Sequence, residues 1–457
     1  MAAVTRRRAL WFLVTAFIVV VAVLGWNLTH VSALPAQPVT SVAAARILTQ
    51  PIADTVPNAR QLRRGQYLVR VGDCLSCHLR AGGQPFAGGV GLNTPFGVIY
   101  SSNISSSRST GIGRWTGDQF YHAMHDGVGV HGEKLYPAFP YPWFNRVSRV
   151  DDDAILAYLT SMPAAEYIPP ANELPFPLNI RATVTGWDLL FLKQASFQPD
   201  PRHSAEWNRG SEIVNGLGHC SGCHTPKNLL GANKSNQAFY GGALENTFAP
   251  DLTRNQRTGL GRWTVDEIAE YLKTGRNARA GASSSMAEVI TYSTSLMSDV
   301  DLRAIAVYLK ELPPSPNFTL VAADAGAMQR GAEIYSDACS ACHLENGVGQ
   351  PRYFPPLGRN AVVQQSDPVG LLHLIIAGGR IGPSPSRPSP LSMPSFAWKL
   401  SDPEIADVAT YLRSSWGNQA ASVTPLQVNT LRKKLGLEKR RLTANSGDHH
   451  EIAVNGF

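Results

Sequence analysis

Apolar residues return at helical spacing in three places along the chain. Ile155, Leu156 and Leu159 sit on one face of the stretch 151–161. Ile305, Val307 and Leu309 do so in part within 298–312, and a third stretch covers 401–415. Tyr158, Tyr308 and Tyr411 take matching positions in the three. This spacing predicts an amphipathic helix in each stretch. Pro163, Pro313 and Pro314 end the first two, since proline has no amide to donate and cannot continue the turn. Two more helix starts are marked by Thr116-Gly-Asp-Gln119 and Thr264-Val-Asp-Glu267, both preceded by Gly-Arg-Trp. Each has the form of a capping box, in which side chains satisfy free amides of the first turn.

The pattern is repetitive. Each repeat opens on Arg-Gly, at 64–65, 209–210 and 330–331. An apolar-spaced segment such as Tyr67-Leu68-Val69 follows and predicts a short helix. Gly-rich loops come later, at 82–89 in the first repeat and 241–242 in the second.

Between the opening helix and the loop stands the chemistry. Cys74-Leu-Ser-Cys77-His78, Cys220-Ser-Gly-Cys223-His224 and Cys339-Ser-Ala-Cys342-His343 are three copies of C-x-x-C-H. Two thiols at this spacing can each form a thioether to one porphyrin, and the histidine is then held beneath the iron. Zinc binding or dithiol redox chemistry would use the cysteine pairs but would leave the three histidines unexplained. All six cysteines lie in these motifs, so none is left for disulfides. The expectation is three covalently bound haem c groups, with His78, His224 and His343 as proximal iron ligands.

The fold class expected is mainly α: three tandem class I cytochrome c domains after an N-terminal membrane anchor or signal. The domains are 58–170, 200–316 and 320–417. A signal or anchor segment (1–34) and a linker (35–57) precede them, and a basic tail (418–457) follows. Arg6, Arg7 and Arg8 stand before an uncharged apolar run of 18 residues, 9–26, long enough for a short span. Cleavage after Ala33 is the alternative. Either reading puts the haem domains at the periplasmic side of the cell inner membrane. In the tail, Val428, Leu431 and Leu435 could share a helix face on anionic lipid; a solvated tail is the preferred reading. A net charge of +7 over 457 residues fits an anionic surface and gives no sign of nucleic-acid binding.

Haem iron in electron-transfer proteins often takes methionine as its second axial ligand, which favours the reduced state. The chain has seven methionines. Met393, in Leu391-Ser-Met393-Pro394, lies 50 residues past His343 and shortly before the closing helix. Met286 lies 62 residues past His224 and is preferred to Met297, which abuts the closing helix. The first repeat has Phe139-Pro140 where the third has Met393-Pro394. Phenylalanine cannot ligate iron. Met124, His125, His131 or no residue at all could take that place, with His122 and Met162 ranked behind them.

Arg-Gly-x-Tyr-Leu at 64–68, Leu135-Tyr-Pro-Ala-Phe-Pro-Tyr141, Met286-Ala-Glu-Val289 and Ser415-Trp-Gly-Asn418 carry a resemblance over about residues 60–418. With the C-x-x-C-H motifs, the chain resembles the three-haem cytochrome c subunit of membrane-bound alcohol, aldehyde and gluconate dehydrogenases of acetic acid bacteria. The resemblance implies a catalytic large subunit as partner, with or without a small iron–sulfur subunit. It also implies delivery of electrons through the haems to ubiquinone. Phe139 stands where the alcohol branch has methionine, which turns the expectation toward aldehyde as much as alcohol. Two other readings are a free multihaem carrier and an autonomous haem peroxidase. No dinucleotide fingerprint, nucleophile elbow or phosphate loop suggests a substrate site of the chain's own.

Overall fold

The computed structural model describes residues 42–244, 246–318 and 323–437. The first repeat begins with α1 (Ala59–Val71), which leads into the short helix Cys74–His78. The antiparallel hairpin β1 (Gly91–Thr94) and β2 (Gly97–Tyr100) follows, with Leu92 opposite Ile99. Then come α2 (Gly117–Asp126), a turn of helix at Tyr141–Phe144, and α3 (Arg149–Ser161). A connector carries α4 (Thr183–Phe191). The second repeat has α5 (Ala205–Asn215), the hairpin β3 (Gly242–Leu244) and β4 (Thr247–Ala249), α6 (Val265–Thr274), α7 (Ser285–Tyr292) and α8 (Asp299–Glu311). The third has α9 (Ala325–Ala338), the short helix Ser340–His343, α10 (Val369–Ala377), β5 (Gly379–Arg380) paired with β6 (Ser392–Met393), α11 (Asp402–Ser414) and α12 (Pro425–Lys434).

The predicted caps form. Gln119 N–H donates to Thr116 Oγ1 at 3.2 Å, and Thr116 N–H donates back to Gln119 Oε1 at 2.9 Å. Thr264 and Glu267 make the same reciprocal pair at 3.1 and 2.8 Å. The second and third closing helices start one residue after Ser298 and Ser401, and the first starts at Arg149, capped by Ser148, two residues before the expected 151.

In every repeat the opening helix crosses the closing one at the glycine of Arg-Gly. A Cβ on Gly65 would lie 1.9 Å from the Ala154 carbonyl oxygen. On Gly210 it would lie 2.0 Å from that of Ala304, and on Gly331 2.4 Å from that of Asp407. Only a residue without a Cβ permits so close a crossing. The preceding arginine reaches a carboxylate on the closing helix. Arg64 meets Asp151 at 2.8 Å, Arg209 meets Asp301 at 2.8 Å, and Arg330 meets Asp407 at 2.6 Å.

The first two repeats share one continuous apolar core, and the third has its own. Tyr67 of the first repeat donates to Asp301 of the second, already paired with Arg209, and Arg70 reaches the Leu296 carbonyl at 3.5 Å.

Segments expected to be plain flanks take part in packing. Within 42–57, Leu48 is wholly buried. Its carbonyl accepts from Arg70 at 2.6 Å, and the Ile47 carbonyl accepts from Tyr158 at 3.0 Å. At the other end α12 is a capped helix, and Val428 and Leu431 face the third core instead of solvent or lipid. Arg432 is held by Asp402 at 2.7 Å beneath the same surface.

The expected seat at the inner membrane is corrected here. Among the described residues no helix is long and apolar enough to cross a membrane. The longest, α9, has 14 residues, about 21 Å of rise against the ~30 Å of a bilayer core. The apolar run 9–26, the candidate cleavage site at Ala33 and the basic residues after 437 lie outside the described residues.

Candidate haem-binding sites

The three C-x-x-C-H segments share one arrangement of hydrogen bonds around the histidine. His78 Nδ1 lies 2.6 Å from the Ser102 carbonyl oxygen, His224 Nδ1 lies 2.6 Å from that of Pro250, and His343 Nδ1 lies 3.0 Å from that of Pro355. A carbonyl can only accept, so Nδ1 carries the proton and Nε2 keeps its lone pair. The backbone of each histidine is pinned as well. Its carbonyl accepts from the amide of Gly88 at 3.1 Å, Gly241 at 3.0 Å or Gly349 at 3.0 Å. All three glycines have positive φ. Gly88 has no room for a side chain, since a Cβ would lie 2.2 Å from the Ser102 carbonyl oxygen. The Gly-rich loops therefore set the histidine ring against its carbonyl partner.

Surrounding protein keeps these rings neutral. Desolvation lowers the pKa of His78 to about 4, with the Ser102 carbonyl opposing it. His224 and His343 are lowered for the same reason. Burial also pushes the Cys74 and Cys77 thiols up to about 12. All six cysteines are free of disulfides.

Met393 comes together with the third motif. Cys339, Cys342, His343 and Met393 line one cavity of ≈ 210 Å³, walled by apolar side chains such as Leu357 and Leu412. A soft thioether, a neutral imidazole and two thiols in an apolar pocket fit a covalently held haem. Met393 is placed there by β6, where it pairs with Gly379.

Met286 lies on α7, half-buried against the core shared by the first two repeats. Met297 is 3% exposed within that core. In the first repeat Phe139 packs on the core and touches the rings of Phe144 and Tyr141, at centroid distances of 5.6 and 6.4 Å. Met124 is buried in the core. His125 is buried with its Nε2 2.8 Å from Asp152 Oδ2, and it stacks on Tyr121 at 3.9 Å. His131 is exposed.

Comparison with known proteins agrees with this chemistry. The cytochrome c family profile matches residues 328–416. The chain is 38% identical to the cytochrome c subunit of the quinone alcohol dehydrogenase of Gluconobacter oxydans, over 81% of this chain and 82% of that one. It is 37% identical to the gluconate 2-dehydrogenase cytochrome c subunit of Pantoea cypripedii, over 84% and 92%. It is 33% identical to the fructose dehydrogenase cytochrome subunit of Gluconobacter japonicus, over 88% and 89%. The chain belongs to the family of dehydrogenase cytochrome c subunits. Covalent haem c and electron transfer follow from that membership.

In this cytochrome c subunit the repeats are in direct contact at their motifs. Trp143 of the first repeat donates its indole N–H to Ser221 Oγ, inside the second motif, at 2.7 Å. Ala280, Gly281 and Ser283 of the second repeat wall the third cavity. Thr291 on α7 hydroxyl-bonds the Pro383 carbonyl of the third repeat at 3.0 Å. Sequence reasoning found none of these contacts, nor the carbonyl partners of the histidines. The one available signal was the presence of glycine in the loop after each motif.

Proposed function

We propose that the chain is a three-haem electron relay built from three tandem class I cytochrome c domains. Cys74 and Cys77, Cys220 and Cys223, and Cys339 and Cys342 attach the haems. His78, His224 and His343 are the proximal ligands. Met286 and Met393 are the distal ligands of the second and third. The relay takes electrons from a catalytic dehydrogenase large subunit, acting on an alcohol or aldehyde, with or without a small iron–sulfur subunit. It passes them to ubiquinone.

The supporting observation is the threefold recurrence of one histidine setting: Nδ1 on a backbone carbonyl and the histidine carbonyl on a glycine amide. A histidine kept for packing alone would not need the same tautomer three times. Haem iron supplies a one-electron couple. The carbonyls fix each imidazole in the iron-binding tautomer, and apolar side chains such as Leu357 and Leu412 wall the cavity that Met393 lines. The partner is supported by the names of the relatives, which are cytochrome subunits of alcohol dehydrogenase (quinone), gluconate 2-dehydrogenase and fructose dehydrogenase, and a quinone acceptor by the first of these names.

Intact-protein mass of the mature chain tests the haem count. Three haem masses above the processed polypeptide are expected, and two or fewer would sink the reading. Affinity purification of the tagged chain from its host tests the partner. A dehydrogenase large subunit should accompany it, and the complex should reduce a soluble ubiquinone analogue with alcohol or aldehyde. A chain recovered alone would favour the free carrier.

A further inference from the structure

The attachment segments of the first two repeats meet each other. Leu217 of the second repeat comes against the turn before Cys74: a Cβ on Gly72 would lie 3.4 Å from Leu217 Cδ2 and 3.5 Å from Cys74 Sγ. Each repeat also lays a segment on the other's motif. From the second, α7 packs against the short helix Cys74–His78. From the first, the turn of helix Tyr141–Phe144 reaches the second motif. Trp143 donates to Ser221 Oγ at 2.7 Å, and Phe144 lies edge-on to His219 at 5.6 Å.

The two sides of this junction differ in charge. On the first side, burial pushes the Cys77 thiol up to about 12, and the carboxylates of Asp73 and Glu288 add to the effect. Asp73 accepts from Ser76 Oγ at 2.6 Å, and burial pushes it up to about 7, so that it carries only part of its charge near neutral pH. Glu288 stands on α7, half-buried, and belongs to the second repeat. On the second side, burial raises the Cys223 thiol, Lys227 opposes it, and Asp73 adds to it. Lys227 is tied to the second motif twice. Its ammonium lies 5.5 Å from the centre of the Trp143 ring and donates to Asn233 Oδ1, and Asn233 Nδ2 donates to the Ser221 carbonyl at 2.9 Å.

We infer that Glu288 and Lys227 set the order in which the first two haems are reduced: Glu288 acts across the repeat boundary to hold the first haem's potential down, and Lys227 holds the second's up. The inference rests on the three-haem reading. Ferric haem carries one more positive charge than ferrous haem. A nearby carboxylate therefore favours the oxidised state, and a nearby ammonium favours the reduced one. Lys227 is exposed, so water and salt screen it more than they screen Glu288. An electron entering this pair then leaves the first iron ferric and the second ferrous.

Haem content of each protein is first fixed by intact mass, so that a missing haem counts against the three-haem reading and not against this one. Potentiometric titration of the full chain at low ionic strength then gives three couples. Glu288→Gln should make one couple about tenfold easier to reduce, a rise of ~59 mV for one electron. Lys227→Gln should make a different couple about threefold harder to reduce, a fall of ~30 mV. The remaining couple should stay in place in both. Glu288→Asp and Lys227→Arg keep the charges and should keep the potentials. Met286→Leu then assigns the couples: the methionine–iron band it removes should belong to the couple that Lys227→Gln lowers. Both variants acting on one couple, or either leaving all three in place, overturns the proposal. So does a band lost from the couple that Glu288→Gln raises, because Glu288 would then act on the haem of its own repeat. If Met286→Leu removes no band, that ligand assignment fails alone, and the comparison of the two charge variants still decides.

Discussion

The backbone of Gly210 lies so close to Ala304 that a Cβ on the glycine would sit 2.0 Å from the Ala304 carbonyl oxygen. Two helices 94 residues apart in sequence are thereby brought to near backbone contact, and the second motif follows directly from the first of them. Backbone cannot retreat as a flexible side chain can. Gly210→Ala should cost about 3 kcal/mol, the upper end for overpacking a tight site. Thermal unfolding of the mature protein measures it. Loss below about 0.5 kcal/mol would show that the crossing relaxes easily.

Arg209 and Asp301 make a pH-dependent contribution to the same crossing. Burial pushes Asp301 up, but the hydrogen bonds from Arg209 and Tyr67 outweigh it and leave the carboxyl below its ordinary value. A lowered folded pKa stabilises the protein above the unfolded value of ~3.9 and loses that effect as pH falls through the folded value. In Arg209→Met the burial effect is left without its main opponent. The variant should lose about 2 kcal/mol near pH 7 and progressively less as pH falls below ~4 towards the lowered folded value, under which Asp301 is protonated in either state. Denaturant unfolding at pH 7 and pH 3.5 checks it; an equal loss at both would show that Asp301 is not the responsible group.

Met393→Leu tests the third site. Leucine preserves the apolar volume and removes the sulfur. Losing a thioether that favours reduced iron should lower one haem potential by on the order of 100 mV, at 59 mV per tenfold change for one electron. One charge-transfer band should vanish. A spectroelectrochemical titration with three unmoved potentials would remove Met393 from the ligand set. Met286→Leu should have the same effect on a different haem.

His125 and Asp152 form a structural pair. Asp152 is fully buried, with Oδ2 on His125 Nε2 and Oδ1 without a partner. Burial raises its pKa despite the histidine. His125→Leu strands the carboxyl and should cost about 3 kcal/mol, while His125→Leu with Asp152→Leu should regain most of it. The haem spectrum should be the same in both variants. A spectral change in His125→Leu would mean that this ring reaches iron.

The sequence by itself determined what short-range chemistry controls. The capping boxes at Thr116 and Thr264 close within three residues, and the thiol pairs of each motif within four. The closing helices are written in their spacing, and the last two in Ser298 and Ser401 as well. Such bonds form wherever the segment goes, so pattern is enough. Tertiary structure decided what depends on distant atoms. His224 finds its carbonyl partner 26 residues away and Gly65 finds Ala154 across a helix crossing. Leu48, in a segment that read as a linker, is wholly buried in the first core, and α12 covers the third. The third cavity, which holds His343 and Met393, borrows Ala280 and Gly281 from the repeat before it. Small residues leave no periodic trace in sequence. Their role appears only when chain packing brings one repeat's loop against another's pocket.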